Sequence, residues 1–156
     1  MPDTAGDTPP PAAGLFHRLA ALFYDSLLLL GISACYVLVF AVWLPNWLTG
    51  PIPQGEISYT GWTKLLFQLG WLALLSGFFI FFWRRGGQTL GMRAWRLRLQ
   101  SRAGGRISYR QALLRCLLAP LSLAILGLGY FWCLVDKDGQ TAHDQLTGTE
   151  TVRTSR

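Results

Sequence analysis

The stretch Leu19–Leu44, LAALFYDSLLLLGISACYVLVFAVWL, decides the fold. It is 26 residues long and carries one formal charge, Asp25. At about 1.5 Å per residue, an α-helix of this length crosses a hydrocarbon core of about 30 Å with some tilt. A carboxylate that faces lipid costs roughly 3 kcal/mol, so we expect Asp25 to face protein or water. The stretch therefore predicts a membrane span with one sheltered acidic side chain.

The composition indicates a small membrane protein rather than a soluble domain. Of the 156 residues, 51% are apolar and 14% are charged, whereas about a quarter of the residues in soluble domains are charged. The net charge of +6 is typical of membrane proteins with arginine on their cytoplasmic side, so we expect no nucleic-acid partner. The sequence contains no catalytic constellation, cofactor fingerprint or metal-ligand spacing, so we expect neither an enzyme nor a cofactor or metal.

Two further apolar segments follow the first. The second span is predicted over residues 65–83, after a loop whose aromatic residues are typical of a membrane surface. The third segment, residues 113–135, contains Pro120, Gly127 and Gly129, so it either spans once or re-enters as two half-helices.

These segments predict the fold class and the domain boundaries. We expect an all-α polytopic membrane protein, with a two-helix transmembrane hairpin and the third, interrupted segment. The membrane domain is predicted over residues 15–152, with its first span over residues 19–44. Residues 1–14 are rich in proline and lack a basic residue, so we expect them to be disordered. Residues 153–156 form a short carboxyl-terminal tail.

Nine arginines follow the second span and orient the protein. The positive-inside rule places this segment in the cytoplasm, which puts the amino terminus there too. Near a membrane surface each arginine gains about 1 kcal/mol from anionic headgroups. The first five are the candidate surface for anionic lipid or for an acidic partner. The nine are Arg84, Arg85, Arg93, Arg96, Arg98, Arg102, Arg106, Arg110 and Arg115.

A short strand is predicted within this cytoplasmic segment. Residues 95–100 alternate between apolar and cationic or polar side chains, which is the period of a strand. The triplet Gly-Gln-Thr precedes the strand at residues 87–89 and recurs at residues 139–141, before a second strand-like stretch at residues 147–154. If these strands pair, the carboxyl terminus is cytoplasmic and the third segment re-enters. A simple count of three spans predicts the opposite.

Three stretches resemble the RDD family of bacterial membrane proteins. They are FHRLAALFYDSLLLL, GGQTLGMRAWRLRLQSRAGGRISYRQALLR and DGQTAHDQLTGTETV. The family takes its name from one arginine and two aspartates, which match Arg18, Asp25 and Asp144. The resemblance extends over residues 15–152. It implies a multi-pass domain in the inner membrane, with a proposed role in the transport of ions or other ligands.

The signature residues have alternative interpretations. Arg18 and Asp25 are seven positions apart, so they share a helix face at about 10 Å along the axis. They form either a structural pair or an ion or proton site. Arg115 is the other candidate partner, for Asp25 or for Asp144. His143 lies next to Asp144, but no nucleophile motif accompanies it.

The last stretch and the overall size narrow the function to two classes. Thr141, His143 and Asp144 are expected to cap or anchor the tail at headgroup level. The first function class is transport of an ion or small solute through a homo-oligomer, because two or three spans do not readily enclose a path alone. The second class is an accessory or regulatory subunit of a larger membrane complex. In both classes the protein contacts the lipid bilayer.

Overall fold

A computed structural model describes residues 11–43 and 61–154, and it is mostly helical. The predictions for residues 1–10, for the loop at 44–60 and for residues 155–156 lie outside the described residues. The elements are α1 (Leu15–Val37, continued as π-helix over Leu38–Trp43), α2 (Trp62–Gly86), α3 (Leu90–Ala94), β1 (Leu97–Ser101), α4 (Tyr109–Ala124), α5 (Leu128–Phe131, followed by a 3₁₀ turn over Trp132–Leu134), α6 (Ala142–Thr147) and β2 (Thr149–Arg153).

Two helices are long and apolar enough to cross a membrane, which confirms the two predicted spans. The candidate spans are Leu15–Phe40, with mean hydropathy 1.9, and Trp62–Gly86, with mean hydropathy 2.1. In the most apolar 18-residue stretch of each helix, only 11% and 0% of the residues, respectively, are buried. Most of these apolar side chains therefore face outward, as expected for helices that contact lipid. Both helices begin a few residues earlier than predicted, because the flanking residues continue the helical hydrogen bonds.

The third apolar segment is a helix pair bent by 103°. A Ser108–Gln111 capping box begins α4, and the helix continues through Pro120. The chain turns where Leu126 and Gly127 adopt φ values of 52° and 73°. The predicted interruption is therefore confirmed at Gly127 and wrong at Pro120. A proline removes one hydrogen bond, whereas two successive left-handed residues redirect the backbone.

A two-stranded antiparallel sheet joins the two halves of the chain. Leu97 lies opposite Arg153, and Ser101 lies opposite Thr149, so the two strands pair, as one of the two alternatives required. The edge of β2 also pairs with the amino-terminal segment, where the Ala13 N–H donates to the Thr151 carbonyl at 3.0 Å. The disorder predicted for residues 1–14 is therefore wrong for residues 11–14, because the open strand edge offers them backbone partners. We call residues 11–14, α3, β1, α6 and β2 the head.

The repeated Gly-Gln-Thr triplet folds the same way at both positions. Gly87 and Gly139 have φ values of 68° and 63°, a region that favours glycine. Thr89 and Thr141 then cap the amino termini of α3 and α6, and each hydroxyl accepts a hydrogen bond from the N–H three residues on. Each short helix leads into a strand. The head therefore contains two copies of one triplet–helix–strand motif, and their strands pair.

The alternation in β1 positions the core of the head as predicted. Leu97 and Leu99 are buried, and Arg98 between them is exposed. Ile107 and Ala112 are fully buried against them, together with Trp83 from the end of α2. The core therefore lies at the junction of the head with α2 and α4.

Candidate functional site: two buried aspartates beside one cavity

Three charged side chains from three different helices meet in a buried ion cluster. We define this ion cluster as Arg18 of α1, Arg115 of α4 and Asp144 of α6. One Asp144 oxygen accepts from Arg18 and the other accepts from Arg115. The side chains of Arg18, Arg115 and Asp144 are 5%, 8% and 0% exposed. The cluster therefore connects α1, α4 and α6, far apart in sequence, through one carboxylate.

Arg18 binds the rest of the head as well as Asp144. Its Nε donates to the Ala13 carbonyl at 2.8 Å, and its Nη2 donates to the carbonyls of Gly139 and Thr151 at 3.2 and 3.4 Å. Its Nη1 also reaches the Thr141 hydroxyl at 3.4 Å. All three guanidinium nitrogens therefore have partners within the protein, and Arg18 fixes the start of α1 against the head.

Two threonine hydroxyls of β2 accept hydrogen bonds from Arg115, and its Nε–H has no partner within the described residues. Its Nη1 donates to the Thr149 hydroxyl at 2.7 Å, and its Nη2 donates to the Thr151 hydroxyl at 3.2 Å. The guanidinium lies 5.6 Å from the centre of the Trp83 ring. Of the two partners that the sequence left open for Arg115, the structure shows Asp144.

The ion cluster sets the charge of the two titratable groups in α6. Burial alone raises the pKa of Asp144, but the guanidinium groups of Arg115 and Arg18 outweigh burial and hold this pKa well below its usual range. Burial, followed by the charge of Arg115, lowers the pKa of His143 to about 3. At neutral pH Asp144 is therefore ionised and His143 is uncharged.

Asp25 forms a separate buried site with the first copy of the head motif. Its carboxylate accepts a hydrogen bond from the Thr89 hydroxyl and another from the Gly91 N–H at 2.9 Å. A Cβ at position 91 would lie 2.9 Å from the Asp25 carboxyl carbon and would also collide with the Ala21 carbonyl oxygen. Only glycine allows α3 to approach α1 this closely.

Of the two interpretations of Arg18 and Asp25, a direct pair is absent from the described residues, because each side chain has its partners in a different copy of the head motif. The prediction that Asp25 is sheltered from lipid is confirmed, since Asp25 is 4% exposed. Thr89, its partner, comes three positions after the end of α2 at Gly86. Asp25 therefore lies level with the end of α2 and not at mid-span.

Both aspartate sites border one cavity of about 350 Å³ between α1, α2 and α4. Its polar lining includes Arg18, Asp25, Arg115 and His143. Leucines from the three helices and Phe79 of α2 are among the apolar side chains that line the rest. The cavity is therefore amphipathic, with its polar groups at the head.

The five arginines predicted to form a surface divide into two groups. Arg84 donates to the Ile107 carbonyl at 2.8 Å and lies 3.8 Å from the centre of the Tyr109 ring. Arg85 lies over the Phe81 ring at 5.7 Å. The other three, Arg93, Arg96 and Arg98, are exposed, and none of them forms an ion pair within residues 11–43 and 61–154. We call these three the arginine surface.

Sequence reasoning did not identify Thr89, Gly91 and Trp83 as site residues. The repeated triplet carried a signal for Thr89, because its counterpart Thr141 lies next to the signature Asp144. Gly91 and Trp83 carried no local signal, because their roles depend on contacts across the fold. The functional roles proposed for Arg18, Asp25 and Asp144 stay predictions.

Comparison with known proteins places the chain in a family. The model of the RDD family matches residues 12–148, which include all three signature positions. Comparisons with curated proteins and with solved structures give no match. Because the match covers most of the chain and agrees with the two apolar helices, this membrane protein belongs to the RDD family.

Proposed function

We propose that this protein is a non-catalytic, non-transporting accessory subunit of a larger membrane complex. The observation that supports this proposal is that the signature side chains are already bound inside the protein. Arg18 uses all three of its guanidinium nitrogens, and both oxygens of Asp144 lie on guanidinium groups. Their role is therefore to hold the head together at the membrane surface.

This coordination disfavours the signature as a cation or proton site. A cation needs open carboxylate or carbonyl oxygens. A cation that took the place of the two guanidinium groups on Asp144 would leave both arginines buried without their negative partner. A proton carrier needs a pKa near the working pH, whereas the arginines hold the pKa of Asp144 well below its usual range. Both oxygens of Asp25 also have donors. Transport, the first function class, stays a prediction, but neither Asp25 nor Asp144 has a carboxylate oxygen left open for an ion.

The proposed topology follows from the strand pairing together with the arginines. Because β1 follows α2 and β2 follows the third segment, both segments return to the head. The 103° bend between α4 and α5 supports a re-entrant third segment. We therefore place the head and the amino terminus in the cytoplasm, with the spans in the inner membrane.

The arginine surface is the proposed contact for the partner. The surface consists of Arg93 of α3, Arg98 of β1 and Arg96, which lies between these two elements. None of the three forms an ion pair within the described residues, so they can bind an acidic protein surface or anionic headgroups at the cytoplasmic face. An exposed guanidinium gains little from a surface pair in water, but several in one patch steer a partner and restrict its orientation.

The experiment compares charge reversal on the arginine surface with a matched reversal elsewhere. Arg93→Glu and Arg98→Glu are tested against Lys64→Glu, which lies near the other end of α2 and is also exposed. After extraction in mild detergent, we expect one membrane protein to co-purify in stoichiometric amount with the wild type and Lys64→Glu. The arginine variants should lose it, and higher salt should weaken the wild-type complex.

A parallel flux assay tests the transport class directly. The purified protein in proteoliposomes should carry no proton or cation flux. A flux that Asp25→Asn abolishes while the protein stays folded would refute the accessory proposal. Equal recovery of the partner by all three variants would refute the assigned surface.

A further inference from the structure

The cavity between α1, α2 and α4 combines a polar end with apolar walls. Arg115, His143 and Trp83 line its polar end, and Leu22, Leu72 and Leu123 are among the side chains of its walls. Its volume of about 350 Å³ falls within the range of small-molecule sites, about 300–1,000 Å³. This cavity is separate from the arginine surface and has no part in the proposed contact with a partner.

Three lining residues carry N–H donors without partners in the described parts of the chain. Trp83 is 7% exposed and His143 is 2% exposed, yet Trp83 Nε1 and His143 Nδ1 make no hydrogen bond. Arg115 donates only through Nη1 and Nη2, which leaves its Nε–H unused. A buried donor without an acceptor is unfavourable, so Trp83 Nε1 and His143 Nδ1 indicate a missing acceptor.

Hydrogen bonding within α6 makes His143 Nδ1 a donor rather than an acceptor. The Thr141 hydroxyl oxygen accepts from the Asp144 N–H and from Arg18 Nη1, both at 3.4 Å. Its own proton is therefore free to bond His143 Nε2, 3.0 Å away. An uncharged imidazole that accepts at Nε2 carries its proton on Nδ1. The polar end of the cavity thus presents indole, imidazole and guanidinium donors.

We propose that this cavity binds a long-chain carboxylate, whose headgroup accepts hydrogen bonds from Trp83, Arg115 and His143. The ion cluster contains two guanidinium groups and one carboxylate, so it carries one positive charge in excess. The carboxylate of Asp25 also lines the cavity, and its oxygens accept from Thr89 and Gly91, so the headgroup of the ligand is placed beside Arg115 and not beside Asp25. Guanidinium groups bind carboxylates more strongly than they bind neutral acceptors. The acyl chain lies along the apolar walls between the three helices.

Cys116 provides a reporter, because it lines the cavity and is half-buried. The full chain with Cys35→Ser and Cys133→Ser is reconstituted in phosphatidylcholine nanodiscs and alkylated with N-ethylmaleimide. We expect oleate to slow alkylation of Cys116 at least fivefold. Oleyl alcohol, which lacks the charge, and acetate, which lacks the chain, should each leave the rate unchanged. Equal protection by oleyl alcohol would overturn the carboxylate assignment.

Two tryptophan variants form a matched pair for the donor assignment. Trp83 and Trp95 both have an unpartnered Nε1, but only Trp83 lines the cavity. Trp83→Phe should raise the oleate concentration for half-maximal protection about tenfold, as for loss of one hydrogen bond to a charged group. Trp95→Phe should leave it unchanged. An equal shift in both variants would overturn the proposal.

A second variant tests the cavity without altering its donors. Ala119→Leu places a larger side chain in the wall formed by α4, where Ala119 is half-buried. We expect alkylation of Cys116 to lose its dependence on oleate in this variant. Protection that persists at the wild-type oleate concentration would place the fatty acid elsewhere and overturn the site.

Discussion

Replacing Asp144 with asparagine is expected to lower the free energy of unfolding by roughly 3–5 kcal/mol. The change keeps the side-chain volume and removes the one carboxylate that lies between Arg18 and Arg115. Both guanidinium groups stay buried, at 5% and 8% side-chain exposure. They would then repel each other in a site with little water, which is the most unfavourable way to break a buried pair.

The matched variant is Asp25→Asn, which also converts a buried aspartate to its amide. Asparagine keeps one carbonyl oxygen for the Gly91 N–H, and its amide can donate to the Thr89 hydroxyl oxygen once the hydroxyl hydrogen rotates away. No cation is left unpaired. We therefore expect a loss of about 1 kcal/mol, well below that of Asp144→Asn.

The assay is equilibrium unfolding of the purified protein in mixed detergent micelles, followed by tryptophan fluorescence. The arginines depress the folded-state pKa of Asp144, so its stabilisation is complete above the unfolded-state pKa of about 4 and is lost as the pH falls further. The deficit of Asp144→Asn should therefore be full at pH 7 and shrink only below about pH 4. If Asp25→Asn proves the more damaging change at pH 7, the structural reading of the ion cluster is wrong.

Three further predictions concern single positions. Gly91→Ala should lower the free energy of unfolding by roughly 3 kcal/mol in the same assay, because the added Cβ overlaps Ala21 and Asp25. Gly77→Ala is the control, since Gly77 has open space around it, and this change should be neutral or slightly stabilising. Burial and the charge of Arg115 lower the pKa of His143 to about 3, so the free energy of unfolding should fall by up to about 1.4 kcal/mol per pH unit below about pH 6.5. His143→Asn should make this pH dependence weaker. An unchanged pH dependence in the variant would show that His143 is not its source. Thr89→Ala should lower the free energy of unfolding by about 1 kcal/mol through loss of a helix cap, and by roughly 1.5–3 kcal/mol more because the hydroxyl also donates to the buried Asp25 carboxylate. A loss equal to that of the cap alone would contradict the contact with Asp25.

Local patterns in the sequence were sufficient for the two spans and the two strands, but not for the short helices α3 and α6. Hydropathy predicted both spans, and the alternation of Leu97, Arg98 and Leu99 predicted a strand with one buried face. Both signals depend on neighbours within a few residues. Pro120 shows the limit of such rules, because α4 continues through it and breaks instead at two left-handed residues, one of which is Leu126. A leucine gives no sequence signal for a left-handed conformation.

The partners of the signature residues could not be predicted in the same way. Arg18 contacts Asp144 across 126 positions, and Asp25 contacts Thr89 across 64. The spacing of Arg18 and Asp25 favoured a pair on one helix, since both side chains share a face. The spacing was a correct indication of a common face but not of a common partner, because two copies of the head motif pack against that face.

The spacing of the two α1 residues follows from the pseudo-repeat in the head. Asp25 binds Thr89 at the start of α3, in the first copy of the motif, and Arg18 binds Thr141 and Asp144 at the start of α6, in the second. The seven positions between them correspond to about 10 Å along the helix and nearly two full turns. Helix α1 therefore joins the two copies along one face.

An insertion tests this account of the spacing. One extra alanine after Ala20 would rotate Asp25 by about 100° relative to Arg18, so only one of the two copies could keep its partner. The same insertion after Leu30 lies beyond both residues and leaves them in phase. We expect the first insertion to destabilise the head by about as much as the loss of one buried site, and the second to have a much smaller effect. If both insertions lower the unfolding free energy equally, α1 does not join the two copies, and the signature spacing needs a different explanation.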